Sequence, residues 1–227
     1  MKNLSLLTLL FIFGLCSCLP GERCPENINT LPLYGHAKKC QGQIEADKEF
    51  IAECDKTFPN RDSAYRHHIK SGWQYLEEDT LTSMKRFNEA WLLDSTKAEV
   101  YWGIGALLGR EGKFKESIDF FEKALSLKKL DESPLLNGNL LRDASISYGN
   151  YFFETKNKQY LDKSIEYLRK SLVYNADNPL AYHDLAVDYY YYSQNDSAKK
   201  YMAITDKYNA KLIPQELRDS INRQASH

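Results

Sequence analysis

The sequence has little that breaks a helix. Eleven glycines and seven prolines are spread over 227 residues, too few for a chain built from tight turns. It also lacks an excess of either charge. Thirty Lys and Arg face 31 Asp and Glu, a formal net charge of -1, so no basic surplus exists to condense on a phosphate backbone, and no nucleic-acid partner is expected. No apolar run reaches the roughly 20 residues that a transmembrane helix needs. Catalytic signatures are missing as well: there is no G-x-S-x-G, no P-loop and no G-x-G-x-x-G. Gly103-Ile104-Gly105 followed by Gly109 has the wrong spacing for a dinucleotide fingerprint and sits within a helical pattern. The five histidines (His36, His67, His68, His183 and His227) form no His-x-x-x-His, and the cysteines form no Cys-x-x-Cys, so neither a metal nor a cofactor is expected. Glu77-Glu78-Asp79 reads as a solvated helix end, with no nucleophile or acid partner in view. Adjacent residues of a helix point to different faces, so at most one of His67 and His68 is buried, with a backbone partner expected. These absences argue against an enzyme.

What is present suits a globular helical protein. Hydrophobic residues make up 43%, and tyrosine is plentiful at 16. The length suits one domain with a small extension and a core that needs no disulfide support. The first 17 residues stand apart. Lys2 is a positive start, Leu4 to Leu15 is apolar apart from Ser5, Thr8 and Gly14, and Ser17 precedes Cys18. That is the pattern of a secretory signal peptide. Leu15-Cys16-Ser17-Cys18 resembles a bacterial lipoprotein box, which implies cleavage after Ser17 and diacylglycerol on Cys18. Cys16 occupies a slot that such boxes usually give to Ala, Ser, Thr or an aliphatic residue. An ordinary signal peptide and an uncleaved anchor are the rival readings. Leu19, where an Asp would signal inner-membrane retention in enterobacterial sorting, points to the outer membrane.

An exported chain meets an oxidising compartment, where thiols pair. Cys24, Cys40 and Cys54 remain after Cys16 is removed and Cys18 lipidated. A helix is expected over Gln41 to Thr57, and its length would hold Cys40 and Cys54 about 21 Å apart, too far to bridge. This favours Cys24–Cys40, leaving Cys54 as a small buried apolar residue.

Two windows repeat one another, Ala98 to Leu127 and Leu180 to Asn209. Ile104-Gly105, Leu108, Ser117, Phe121 and Ala124 in the first match Leu185-Ala186, Tyr189, Ala198, Met202 and Thr205 in the second, offset for offset. Each window holds two helical stretches around a turn, at Glu111-Gly112-Lys113 and Ser193-Gln194-Asn195. Small residues fall where two helices would cross and large ones around them, and Ile118, Phe121 and Leu125 form an amphipathic stripe. Two looser copies carry Gly72, Tyr75, Ser83, Phe87 and Ala90, and Tyr148-Gly149, Phe152, Ser164, Leu168 and Ser171. The segment KKLDESPLLNGN reads as a connector, although Ser133-Pro134 could open an early helix. Gln41 to Thr57 puts Ile44, Ile51, Cys54 and Phe58 on one face. Pro214 to Gln224 has Leu217 and Ile221 four apart, as a terminal cap should.

The pattern resembles the tetratricopeptide repeat (TPR), and Cys24 to Gly35 resembles the start of a group of Bacteroidota repeat lipoproteins. The expected fold is all-α: a short right-handed solenoid of about four units, near 62–95, 98–131, 142–176 and 179–212. A signal peptide (1–17), an anchor linker with the disulfide loop (18–40) and a half-repeat helix (41–60) precede it, and a capping helix and tail (213–227) follow. The resemblance implies a partner-binding concave face lined by the first helix of each unit. Slot by slot this gives Arg66, Ile69, Lys70, Trp73 and Leu76; Glu99, Trp102, Ala106 and Arg110; Asp143, Ile146, Asn150 and Phe153; and His183, Val187, Tyr190 and Tyr191. Relatives that grip a C-terminal carboxylate use a Lys/Asn/Arg clamp there. Asn150 fills an asparagine slot but Ile146 the lysine slot, so that clamp is incomplete. The implied function is a lipid-anchored adaptor of the cell envelope that binds an extended peptide or a helix of a partner protein. The alternative is a surface glycan-binding lipoprotein, since stacked Trp and Tyr suit sugars.

Overall fold

The computed structural model describes residues 23–127 and 134–224. The signal peptide and Cys18 lie outside them, as does the first half of the expected connector, residues 128–133. Ten α-helices follow one another among the described residues: α1 Gln41–Thr57, α2 Arg61–Tyr75, α3 Thr80–Leu93, α4 Ala98–Arg110, α5 Phe114–Leu127, α6 Pro134–Thr155, α7 Lys158–Tyr174, α8 Pro179–Tyr191, α9 Asn195–Asn209 and α10 Gln215–Gln224. They pack as hairpins, α2 on α3, α4 on α5, α6 on α7 and α8 on α9, and each hairpin packs on the next. None is long and apolar enough to cross a membrane.

Local chemistry sets the helix ends. Asn60, Asp79, Asn157 and Asn178 each accept a backbone N–H of the following first turn, which satisfies donors that a helix start leaves unpaired. Helix α4 closes with Gly112 at φ 76° while Lys113 N–H donates to the Leu108 carbonyl at 2.9 Å. Ser193 takes the same left-handed position after α8, and Gln194 N–H reaches the Tyr189 carbonyl at 2.9 Å. This is the Schellman arrangement, with serine standing where glycine is commoner.

In three hairpins a serine hydroxyl on the second helix donates to a carbonyl on the first near the crossing, and in the third hairpin Ser171 makes a second such bond to Gly138 at 2.7 Å. Ser83 reaches Gly72 at 2.8 Å, Ser117 reaches Gly105 at 2.7 Å and Ser164 reaches Ser145 at 2.9 Å. All four serines are buried. Phe87 lies fully buried where Gly72 and Gly103 have no Cβ to meet it, and Phe121 rests on Gly105 with 3.3 Å to an added Cβ. One apolar cluster runs from Leu33 to Tyr167, a second from Phe152 to Ile221, and Tyr160 packs against both.

These serine contacts correct the third copy. Its crossing residue is Ser145, one helical turn before Gly149, and Gly149 matches Gly109 instead: a Cβ on either would lie beside the same serine, Ser164 or Ser117. Crossing residue and serine are 12 apart in the second hairpin and 19 in the third, about two added helical turns. Helix α6 also begins at Pro134, so of the two readings of this segment the early helix holds for residues 134–139.

The N-terminal cover is broader than one helix. Cys24 and Cys40 are joined by a disulfide, with Cα atoms 5.1 Å apart. The loop between them lies on α3, burying Ile28, Leu33 and Tyr34. Asn88 Nδ2 donates to the Asn29 carbonyl at 2.9 Å and the Leu31 carbonyl at 2.8 Å. Leu33, Tyr34, Gly35 and His36 form a left-handed turn with φ between 49° and 63°, a conformation that costs non-glycine residues about 1–2 kcal/mol each. Helix α1 buries Cys54, and Phe50, Ile51 and Phe58 pack against the core, but Ile44 is 38% exposed. At the other end Ile221 of α10 is fully buried and Leu217 packs beside it.

Two alanine substitutions should separate crossing glycines from incidental ones. A Cβ on Gly103 would overlap the rigid Phe87 ring, so Gly103→Ala should lower unfolding free energy by about 1–3 kcal/mol in a urea titration. Gly42 meets nothing within 4 Å, so Gly42→Ala should be neutral or raise it by up to about 1 kcal/mol.

Candidate functional site

The first helices α2, α4, α6 and α8 line one face, and α4 also contacts α2 and α6 directly. The serine register gives the slots on this face for three helices: Ile69 and Trp73 from α2, Glu99 and Trp102 from α4, and Asn139, Arg142, Ile146 and Asn150 from α6. Ala186, the match of Gly105, gives Leu180, His183 and Val187 from α8. They surround two hollows. The larger, about 690 Å³, is lined by Ile69, Trp73, Glu99, Trp102, Leu136, Asn139, Arg142, Asp143 and residues 175 and 177–180. The smaller, about 140 Å³, lies between α6 and α8 with Ser164 of α7 at its base.

Polar bonds fix the floor of the larger hollow. Trp102 is 8% exposed, meets Trp73 edge-on at 5.5 Å between ring centroids, and donates its Nε1–H to Asp143 Oδ2 at 2.9 Å. Burial pushes the Asp143 carboxyl above its ordinary range, against the Trp102 hydrogen bond and the charge of Arg142. Arg142 Nε pairs with Asp184 Oδ2 at 2.8 Å, both side chains less than a fifth exposed. Asp184 Oδ1 also holds His183 Nδ1 at 2.9 Å. Leu136 and Leu180 stand 40% and 41% exposed on the rim.

The expected groove residues divide. Trp73 and Trp102 line the larger hollow, and Asn150, Phe153 and His183 the smaller. Tyr191 meets Phe153 edge-on at 4.6 Å and Tyr190 at 5.1 Å, extending the smaller hollow's rim. Arg66 is exposed and pairs with Asp62 at 2.6 Å. Arg110 pairs with Glu77 at 2.6 Å, and Lys70 is exposed; none of these three lines a hollow. Asn139 and Arg142 escaped the sequence reading because Gly149 was taken for the crossing residue. Leu136 lies in the segment read as a connector, and Leu180 lies at the start of α8, ahead of the slots chosen there. The one-turn correction also moves the clamp slots to Arg142 and Ile146, with Arg142 already held by Asp184, so the clamp stays incomplete.

Asp188 was missed entirely. It is 7% exposed and its Oδ2 lies 2.6 Å from Ser164 Oγ. Ser164 already directs its single hydroxyl hydrogen to the Ser145 carbonyl. One hydroxyl hydrogen serves one of these contacts at a time. With Asp188 ionised, Ser164 donates to the carboxylate; with Asp188 protonated, the acid donates to Ser164 Oγ while Ser164 keeps the Ser145 carbonyl. One repeat earlier Ser147 holds the same place, 2.8 Å from Ser117 Oγ. Burial, followed by the neighbouring Asp184 charge, raises Asp188 to about 8 despite the Ser164 hydrogen bond.

A second buried set lies away from this face. Cys54 Sγ is 3.8 Å from His68 Nε2, and His68 Nδ1 is 2.9 Å from Glu89 Oε2, so the buried histidine is partnered by side chains rather than by backbone. The order thiol, imidazole, carboxylate resembles a nucleophile with its base. Yet Cys54 and His68 are 5% and 6% exposed, and burial, then Glu89, pushes the thiol upward, opposite to what a thiolate nucleophile needs. Among the described residues no group of three or more His, Cys, Asp or Glu could hold a metal ion.

No protein-family model matches the chain, and no curated protein matches it by sequence. Solved structures are similar in fold. The crystal structure of the APC/C hetero-tetramer Cut9–Hcn1 superposes with a TM-score of 0.61 at 14% identity, over 70% of this chain and 29% of that one. The crystal structure of MamA does so with a TM-score of 0.50 at 17% identity, over 84% of this chain and all of that one. The chain thus spans under a third of the first and the full length of the second. The fold is a TPR-like, all-α repeat of helix pairs.

Asp188 gives the stability a measurable pH dependence. Between its ordinary value of 3.8 and about 8, it is protonated when folded and ionised when unfolded. The unfolded state then binds fewer protons, so its contribution to stability is full below that window, falls through it and is gone above it. Asp188→Ser supplies the hydroxyl donor of Ser147 without the acid. Urea titrations across the window should show wild type losing about 1.4 kcal/mol per pH unit relative to this variant; a constant difference would place an ionised Asp188 in the folded protein.

Proposed function

We propose that the chain is a non-enzymatic adaptor whose first-helix face binds an extended peptide or a helix of a partner protein. The observation that carries this reading is the hollow of about 690 Å³ that draws its lining from α2, α4, α6 and α8 together. It has apolar anchors at its rim, Leu136 and Leu180, and amide groups along its wall, Asn139, Asn175 and Asn178. Apolar anchors among a few fixed polar groups are what a groove for a peptide or helix uses. The indoles support a protein partner over a glycan. Sugar stacking needs an open ring face, whereas Trp102 is buried and turned edge-on to Trp73. The similar solved structures supply the architecture and leave the partner's identity to experiment.

The signal peptide and the Cys18 box, both read from sequence, would anchor the adaptor by lipid in a bacterial envelope, at the outer membrane by the Leu19 rule. The four expected groove units correspond to the hairpins α2–α3 through α8–α9, with α1 and the disulfide loop covering one end and α10 the other. Each of these assignments belongs to the same proposal.

The test is capture of partners by the full-length protein from its own detergent-solubilised envelope. Leu136→Asp with Leu180→Asp changes two exposed rim residues and should reduce recovery of a stoichiometric partner about tenfold or more, as burying an unpaired charge in an apolar contact requires. Val173→Asp, 82% exposed on α7, should leave recovery unchanged. A partner indifferent to the rim pair would move the binding surface off this face.

A further inference from the structure

We propose that the small pocket between α6 and α8 receives the ammonium end of a lysine side chain from the segment bound on the first-helix face, with Asp188 as its counter-ion. The inference rests on the groove reading and specifies the partner's chemistry. The pocket is the smaller of the two hollows, about 140 Å³, room enough for the end of a linear side chain. Asp188 lies at its base, more than nine-tenths buried. Its Oδ2 contacts Ser164, while Oδ1 takes no hydrogen bond among the described residues. Gly149 keeps the space above Oδ1 open: a Cβ there would stand 3.5 Å from that oxygen. Phe153, 38% exposed, forms a wall of the pocket, and its ring already lies 5.6 Å from one ammonium, that of Lys156. An acid below and an aromatic ring beside it suit an alkylammonium.

The acid is not needed for packing. Ser147 fills the equivalent place with a hydroxyl, so a serine would complete the Ser164 bond at position 188 as well. The other charges here already have partners. Asp184 is neutralised by Arg142 and also holds His183, and Lys156 stands at the Phe153 ring. Asp188 alone faces the pocket without a cation. When the ammonium docks, Asp188 gives its proton to solvent, Ser164 turns its hydroxyl hydrogen to the new carboxylate, and the ammonium stays charged. Because burial holds the free carboxyl near 8, binding should strengthen as pH rises towards that value.

The experiment is a titration of the ¹⁵N-labelled full chain in detergent micelles with Nα-acetyl-lysine amide, read from amide shifts. Saturable shifts at Gly149, Asn150, Val187 and Asp188 are expected, with a Kd on the order of millimolar for so small a probe. Nα-acetyl-norleucine amide, which lacks the ammonium, should give none. Asp188→Ser should weaken binding about tenfold or more while its spectrum stays folded. Absence of saturation, equal binding of the norleucine probe, or unchanged affinity in Asp188→Ser would each overturn the proposal. Norleucine amide with a free α-amine is the remaining arm: if it bound in place of the lysine probe, the site would take a chain N-terminus and the lysine assignment would fall. In the envelope capture, a partner lost with the Leu136/Leu180 pair but fully kept by Asp188→Ser would remove the lysine pocket and leave the groove standing.

Discussion

One hydrogen bond recurs at the heart of this fold: a buried serine hydroxyl on the second helix of a hairpin, donated to a main-chain carbonyl of the first. Ser83, Ser117 and Ser164 each make it. A carbonyl within a helix already accepts one N–H, so the serine uses its second lone pair and disturbs no ladder bond. The bond demands that two backbones approach to the length of one short side chain. Only a small residue fits such a crossing, which is why Gly72, Gly105 and Ser145 stand there. Large side chains then fill the space the crossing leaves, Phe87 and Phe121 foremost. Which first-helix residues face the groove follows from the crossing residue by helical geometry alone. In the first three hairpins the first-helix face is thus set by these serine contacts on the opposite side of the same helices.

That dependence explains what could be read from sequence. The hairpins were legible because apolar stripes and small residues recur at helical spacing, and the second and fourth copies share every offset. Helix α10 was visible in Leu217 and Ile221, four residues apart, which are the side chains it packs inward. The third copy misled because two glycine-like crossing candidates, Ser145 and Gly149, lie one turn apart. Glycine is the more familiar crossing residue, but Ser145 makes the contact. A four-residue slip preserves the apolar stripe almost unchanged, so periodicity alone could not detect it. The cost was local: Asn139 and Arg142 stayed off the list of groove residues.

Asp188 was illegible for a different reason. Its place in the helix repeats that of Ser147, but a sequence comparison scores acid against hydroxyl as a mismatch. Only their contacts with Ser164 and Ser117 show the two to be alternatives for one place. The N-terminal loop was hidden likewise. Cysteine spacing pointed to a bridge, but nothing in the spacing said that the bridged loop would lie on α3. Asn88, a polar residue in an otherwise apolar stripe, was the available sign, since a buried amide must find partners.

The bridge also determines how the molecule carries load. Cys40 is the residue immediately before α1, and Cys24 lies 16 residues earlier. Tension applied to the chain ahead of Cys24 therefore passes from sulfur to sulfur straight into the start of α1. Residues 25–39 form a slack side branch in parallel with that path. The left-handed turn and the two Asn88 contacts lie off that path and keep their shape while the disulfide and the helix behind it take the strain. A covalent shunt of this kind shields the loop from any pull applied ahead of Cys24.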